Sequence, residues 1–451
     1  MTILRFDKVI PEVLSVLEEF NDRMGETTLV RDSFGSLTVV LLDDAFKETI
    51  QWNVLASKLN LVLGAYSPGE DQVLLRQSDL VDPADVINSV DRIRLPDAPN
   101  TWLVDRLQTN QDWLREPLVN QPPIPTAVAF SIKGGVGRTT AFALWAWSLA
   151  RAGKNVVLVD LDLEAPGIAG LLLDESHMPD YGLVDWLVEA LVGQADEVLL
   201  RDCLVDCDLA RSAPGRIQVL PALGKKTREY VNKLGRIYMP TFASETGQFL
   251  GLAERLLMLL DQLAGLPDKP DLVMLDSRAG LHDIGSAAVT RLGAEVFMFA
   301  RDDYQSWQAY RELFKHLSQS RCVAVGMDDD DMRWRLKMVG AQLDATESAK
   351  LRFTDASYSV WSDELYDAGI TLEEEDNRRK HAEPVPQVFE RGEVNAPHSP
   401  FFVQFDSRIR GFDLISPDNR PDWNIIETAF GDFFSGAFAR MFPEEIATGE
   451  V

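Results

Sequence analysis

The stretch SIKGGVGRTT, residues 131–140, sits between the apolar run AVAFSI (127–132) and a helical pattern at 139–152. A buried strand that ends in a glycine-rich turn and passes at once into a helix leaves the chain few architectures. Glycines let the backbone turn so that several N–H groups point into one concavity. The helix that follows adds its unsatisfied first-turn amides and its positive dipole end. A phosphate chain suits such a cradle, and Thr139 offers a hydroxyl to Mg²⁺.

The segments downstream repeat the same rhythm. NVVLVD (155–160), RIQVLPA (216–222), DLVMLD (271–276), AEVFMFA (294–300) and LKMVGAQ (336–342) read as buried strands. Helical segments, among them 249–264, 283–292 and 304–319, lie between them. Buried strands alternating with helices predict an α/β fold: a mostly parallel sheet with helices on both faces. Sites in such sheets lie at the carboxyl ends of the strands.

Residues 1–116 read as a separate small α+β domain. The spacing of Val9, Val13, Val16, Leu17 and Phe20 predicts a helix over 8–24. SLTVVLLDD (36–44) reads as a strand, 46–63 as a helix ending at Gly64, and DQVLLRQSDL (71–80) as a possible further strand. Four prolines fall in PLVNQPPIPT, which marks 117–126 as a linker. A nucleotide-binding domain is expected over 127–345 and a helical C-terminal extension over 346–451, packing on that domain or on a partner. Within it, TLEEEDNRRKHAEP (371–384) reads as a solvated charge run. Phe430, Phe433, Phe434, Phe438 and Met441 form an aromatic stripe at helical spacing over 422–442.

Charge narrows the functions. The chain of 451 residues carries 44 Lys+Arg against 71 Asp+Glu, a net of -27. That balance opposes broad binding to a phosphate backbone, so no general nucleic-acid partner is expected. The aromatic stripe lacks the lysines and arginines of a membrane-surface helix, so no membrane partner is expected either. No uncharged apolar run approaches the ~18 residues of a spanning segment, and the N-terminus has no apolar signal core. The expected compartment is the cytoplasm. Cys203, Cys207 and Cys322 make no disulfide framework or metal set and read as reduced thiols.

Two further motifs accompany the loop. VVLVDLDLEAPG (156–167) puts Asp160 and Asp162 two apart at a strand end, hence on one side. DLVMLDSRAGLHD (271–283) is an apolar strand ending in Asp276. Taken alone, either aspartate would read as a cap on a nearby loop. With Lys133 at the start of the loop, the three motifs together resemble the deviant Walker ATPases of the ParA/MinD family, a class of P-loop proteins. The combination K-G-G-x-G-R-[ST] with D-L-E-A-P-G resembles a recurring bacterial subgroup. The resemblance covers roughly 127–345 and carries nothing onto residues 1–116.

The resemblance implies roles by position. Gly134, Gly135, Val136, Gly137, Arg138, Thr139 and Thr140 would hold the phosphates of ATP. Lys133 would reach across a face-to-face homodimer to the partner's nucleotide, and Asp162 would position the attacking water. Thr139 and Asp276 would hold Mg²⁺, supported by Asp160. Arg138 departs from the family pattern, which has a lysine bridging the terminal phosphates. An arginine keeps the charge in a longer, planar fork, so binding should survive more easily than fast turnover.

The implied function is an ATP-dependent switch that hydrolyses slowly and signals to an unidentified protein partner in a regulatory or defence-related system. The alternative is a nucleotide-binding scaffold with little or no hydrolysis. A DNA- or membrane-positioning ATPase fits the charge balance less well. Weaker candidates are ARDDYQSW (300–307), Gln342 and Asp344 near the base, the carboxylate run at 328–331, read as an exposed loop, and His282.

Overall fold

The computed structural model describes residues 4–20, 25–43, 45, 49–89, 92–95, 98, 100–107, 109–118, 120–242, 249–319, 331–366, 389–409 and 411–448. The chain divides into two compact units, Met1–Arg115 and Glu116–Val451.

The first unit contains α1 (Phe6–Glu18), β1 (Thr27–Arg31), β2 (Leu37–Leu41), α2 (Thr49–Leu63), β3 (Leu74–Arg76), α3 (Ala84–Ile87), β4 (Arg92–Arg94) and β5 (Thr101–Asp105). Its strands form one mixed sheet in the order β3-β2-β1-β5-β4. Val9, Val13, Val16 and Leu17 of α1 pack with Leu55, Leu59 and Leu63 of α2 against Leu29, Val39 and Leu103 of the sheet. The helix predicted over 8–24 begins earlier and stops at Glu18. Phe20 lies beyond it, partly buried against the same core, and 21–24 lie outside the described residues. Strands β1 and β5 pair in parallel through five positions. The sequence reading does not single them out, because β1 (TTLVR) and β5 (TWLVD) are too short for a clear period.

The second unit is built on β6 (Thr126–Phe130), α4 (Arg138–Arg151), β7 (Asn155–Leu161), α5 (Ile168–Leu172), α6 (Leu183–Leu191), α7 (Glu197–Cys203), β8 (Val205–Asp206), β9 (Arg216–Leu220), α8 (Tyr230–Ile237), β10 (Thr241–Phe242), β11 (Phe249–Leu250), α9 (Leu252–Ala264), β12 (Leu272–Ser277), α10 (Asp283–Ser286), β13 (Glu295–Ala300), α11 (Tyr304–Gln319), β14 (Leu336–Leu343), α12 (Glu347–Glu364), β15 (Phe401–Gln404) and a long C-terminal helix, Trp423–Met441. The main sheet runs β15-β14-β13-β6-β12-β7-β9-β8. Every pairing in it is parallel except β8 with β9. The α/β expectation holds.

Both faces of this sheet are buried, which is why its strands read as continuous apolar runs rather than as alternation. Ala127, Ala129, Leu158, Met274, Phe297 and Phe299 join α4, α5 and the C-terminal helix in one core. The alternate residues Val128, Phe130, Val157, Val159, Val273 and Leu275 are buried on the other side. The proline-rich run lies within this unit: Ile124 is buried, and the Leu118 N–H donates to the Thr290 carbonyl at 2.8 Å.

The tail departs from a purely helical extension. Phe401–Gln404 forms β15, a parallel edge strand beside β14, and the helix Trp423–Met441 packs on it and on α4. Four residues, FFVQ, give too short a run to signal a strand by period. The aromatic stripe is core: Phe430, Phe433 and Phe434 are buried, while Phe438 and Met441 are partly so. The charge run 371–384 and Cys322 lie outside the described residues. Asp331, read as part of an exposed acidic loop, is instead buried against Arg333, with Nη2 2.9 Å from Oδ2. Pairing with a buried guanidinium is what allows that carboxylate to leave water. The rest of that run, 328–330, lies outside the described residues.

Candidate functional site

The order of the central strands locates the site. From β6 the chain moves to one side, to β7 and β9, returns to β12, and then crosses to β13 and β14 on the other side. The crevice at this reversal, beyond the strands' carboxyl ends, is where such sheets bind ligands. The loop 131–137 leaves β6 there.

Two glycines shape the loop. Gly135 and Gly137 have φ of 72° and 91°, the left-handed region that side chains avoid. Gly137 is the residue that opens α4. The Ser131 carbonyl accepts from Gly280 N–H at 2.9 Å, which ties the loop to the turn after β12. The first-turn amides of α4 therefore face the crevice without helical partners.

Arg138 and Thr139 open that helix and are joined by two strand ends. In the pairing of β12 with β7, Asp276 stands beside Asp160. Thr139 Oγ1 donates to Asp276 Oδ2 at 2.5 Å. Asp276 is buried, and burial is the main cause that pushes its carboxyl up to about 6, with Arg138 and Thr139 opposing. Asp160 is also buried. Desolvation, then repulsion from Asp276, pushes it up to about 7.

The oxygens of Asp160 are engaged by the backbone. Oδ1 accepts from Asp162 N–H, and Oδ2 accepts from Gly167 and Ile168 N–H, each at 3.1 Å. Its first task is thus to close the loop 162–168 onto α5. Asp162 is partly buried in that loop, and its Oδ1 accepts from Ala165 N–H at 3.2 Å. Burial raises its carboxyl, while Arg138 and Arg278 oppose the rise.

Two buried polar atoms next to the loop have no hydrogen-bond partner: Nη1 of Arg138 and Oδ1 of Asp276. A phosphate oxygen would satisfy the first and a hydrated cation the second. Mg²⁺ keeps several waters and takes one or two protein ligands in phosphate sites. Thr139 and Asp276 therefore suffice, although no cluster of three or more His, Cys, Asp or Glu stands ready for a metal among the described residues. The residues present fit a phosphate chain with Mg²⁺ beside it.

Lys133 points to its own chain. Its Nζ lies 3.3 Å from both carboxylate oxygens of Asp303. Asp303 also caps α11, accepting from Ser306 N–H at 2.8 Å. The stretch 300–307 is therefore both a helix start and a neighbour of the phosphate loop. Gln342, at φ 55°, donates from Nε2 to the Gly135 carbonyl at 2.9 Å. It lines an open cavity of about 470 Å³ beside Gly137 and Thr140, walled also by Phe405 and Phe412 from the segment after β15. Asp344 is exposed after β14 and is not part of that lining. His282 is exposed before α10, where its ring lies over Gly280. Cys203 and Cys207 are buried free thiols. Burial lifts both above the usual thiol range, Cys207 to about 11.

Sequence reasoning passed over Arg278, Glu164, Tyr230 and Tyr238. Arg278 Nη1 pairs with Glu164 Oε2 at 3.0 Å, and Tyr238 donates its hydroxyl to Glu164 Oε1. The signal available was the arginine of DSRAG, one residue beyond the strand that carries Asp276. The two tyrosines come from α8 and its C-terminal end, and nothing in the linear pattern predicts that meeting.

No protein-family model matches the chain. The septum site-determining protein MinD of Synechocystis sp. is 30% identical over 156 residues, which is 34% of this chain and 45% of MinD. The chain thus spans less than half the length of that relative. Among solved structures, a ParA family ATPase from Chlorobium tepidum TLS overlays with a TM-score of 0.41 at 14% identity, covering 70% of this chain and 98% of that one. MinD from Pyrococcus horikoshii OT3, complexed with Mg-ADP, overlays at 0.34 with 17% identity, covering 64% and 84%. Both overlays are remote. The sequence likeness is to MinD and extends over about a third of this chain.

Proposed function

We propose that the chain is an ATP-dependent switch that binds Mg-ATP, dimerises face to face, hydrolyses slowly and signals its state to a protein partner. One observation carries the reading: the unpaired Nη1 of buried Arg138 and the Thr139–Asp276 pair meet at a left-handed glycine loop that opens a helix. The backbone amides of 134–140 would hold the phosphates, with Arg138 supplying charge. Thr139 and Asp276 would hold Mg²⁺, with Asp160 fixing the loop behind them. When bound, Mg²⁺ neutralises charge at the terminal phosphates. Asp162 would orient the attacking water. Lys133 would leave Asp303 for the partner's nucleotide. The terminal phosphate would then favour the paired arrangement and shift the population toward it.

The test measures mass by light scattering with ATP, ADP and no nucleotide, alongside phosphate release. A dimer that forms only with ATP and persists in Asp162→Ala supports the switch. A mass that no nucleotide changes, with Lys133→Ala behaving like wild type, refutes it. A second reading has its own support: the planar guanidinium of Arg138 stands where fast turnover needs a compact ammonium. ATP binding without phosphate release would favour that reading, a nucleotide-binding scaffold.

A further inference from the structure

We propose that Arg278 is a positioning residue for Asp162, acting through a clamp formed with Glu164 and Tyr238. The inference rests on the hydrolytic reading above, which needs the Asp162 carboxylate held in one orientation.

The clamp follows from strand register. Ser277 and Leu161 are paired at the ends of β12 and β7, so the next residues of both strands emerge side by side. Arg278 comes from one strand end, and Asp162, Leu163 and Glu164 from the other. Arg278 Nη1 stands 3.0 Å from Glu164 Oε2, and its Nε stands 3.9 Å from Asp162 Oδ1. The guanidinium is thus anchored on Glu164 and lends its charge to Asp162.

The other oxygen of Glu164 accepts from the Tyr238 hydroxyl, and the Tyr230 hydroxyl donates to the Leu163 carbonyl. Burial holds both phenols above their usual range, so they remain donors at neutral pH. Both residues in sequence next to Asp162 on its C-terminal side are therefore tied down from the α8 region. On Asp162 itself, Arg278 and the Ala165 N–H address the same oxygen, Oδ1. The arrangement leaves Oδ2 as the oxygen to accept a hydrogen bond from water. With one-third of its side chain exposed, Arg278 is not a core residue whose loss would unfold the sheet.

The test uses the full chain and two readouts. With saturating Mg-ATP, Arg278→Gln should lower kcat about tenfold or more, as misplacement of a catalytic group does. Its KM and its affinity for a fluorescent ATP analogue should change less than about threefold, since binding is assigned to other groups. Glu164→Gln should reproduce part of the loss, and the double variant should be no slower than Arg278→Gln alone, because the two act as one unit. Tyr238→Phe, a milder change, should fall between them and wild type. Independently of turnover, hydrogen exchange of the nucleotide-free protein should accelerate at the amides of 163–165, 167 and 168 in Arg278→Gln and Tyr238→Phe.

Unchanged exchange in both variants, with the circular dichroism of wild type, overturns the clamp. So does an Arg278→Gln that weakens ATP binding as much as it slows turnover, since that would make Arg278 a phosphate ligand. If wild type releases no phosphate, the hydrolytic reading fails and exchange alone decides on the clamp.

Discussion

Phe433→Ala tests whether the C-terminal helix is a structural member of the second unit. Phe433 is fully buried where that helix crosses α4 and the sheet. Its ring centroid lies 5.6 Å from Trp145, Phe297 and Phe299 and 6.5 Å from Phe142. Truncating a buried phenylalanine typically costs about 3–5 kcal/mol, from lost transfer energy and the cavity left behind. These four aromatic rings wall the site and cannot collapse into the gap, which favours the upper half of that range. The unit Glu116–Val451 should unfold with an entropy of about 0.7 kcal/mol/K, at roughly 2.1 cal/mol/K per residue. A loss of 4 kcal/mol then lowers its Tm by about 6 °C. Scanning calorimetry of the whole chain is the assay, with Phe438→Ala, only partly buried, expected to move the transition less. A Phe433→Ala shift below about 1 °C would mean that the helix is a detachable appendage and that the packing described here is wrong.

Other outcomes follow from the site. Arg138→Ala should weaken ATP binding about 10- to 100-fold, the scale of a lost charged hydrogen bond, measured by fluorescence titration. The raised carboxyls of Asp160, about 7, and Asp276, about 6, are protonated when the pH falls below those values. Asp276 would have to be ionised to hold Mg²⁺, and Asp160 to hold the loop behind it, so Mg-dependent affinity should fall as pH drops from 8 through 6 and level off above 8, read by titration at fixed ionic strength. Gly137→Ala should abolish nucleotide binding while lowering stability by about 1–2 kcal/mol, because φ of 91° is costly for any residue with a Cβ. Asp303→Asn should leave Tm nearly unchanged, since its pair with Lys133 is exposed, and should lower the protein concentration at which ATP drives dimer formation, seen by light scattering.

Much of the second unit was legible because a sheet buried on both faces writes its strands as apolar runs. DLVMLD and AEVFMFA need no tertiary knowledge to be recognised. The cradle was legible because Gly135 and Gly137 sit where only glycine is comfortable. The parallel edge pairing of β14 with β15 was not, since Phe401–Gln404 is too short and comes after a long intervening segment. The first helix of the first unit could be read from Val9, Val13 and Leu17, whereas its parallel β1–β5 pair depends on contacts more than 70 residues apart. At the site, Asp160 and Asp276 could be picked out as strand ends, but their side-by-side placement comes from register. That Asp160 spends its oxygens on three backbone N–H groups, and that Lys133 rests on Asp303, depends on loops that only the fold brings together.

The proposed function requires that the amides and side chains of 134–140 grip a triphosphate with Mg²⁺ beside them. Equilibrium dialysis of the purified chain against radiolabelled ATP, with and without Mg²⁺, measures this directly. One molecule should bind per chain, more tightly with Mg²⁺ and markedly less tightly in Thr139→Ala. No retention at millimolar ATP by a folded protein would contradict it.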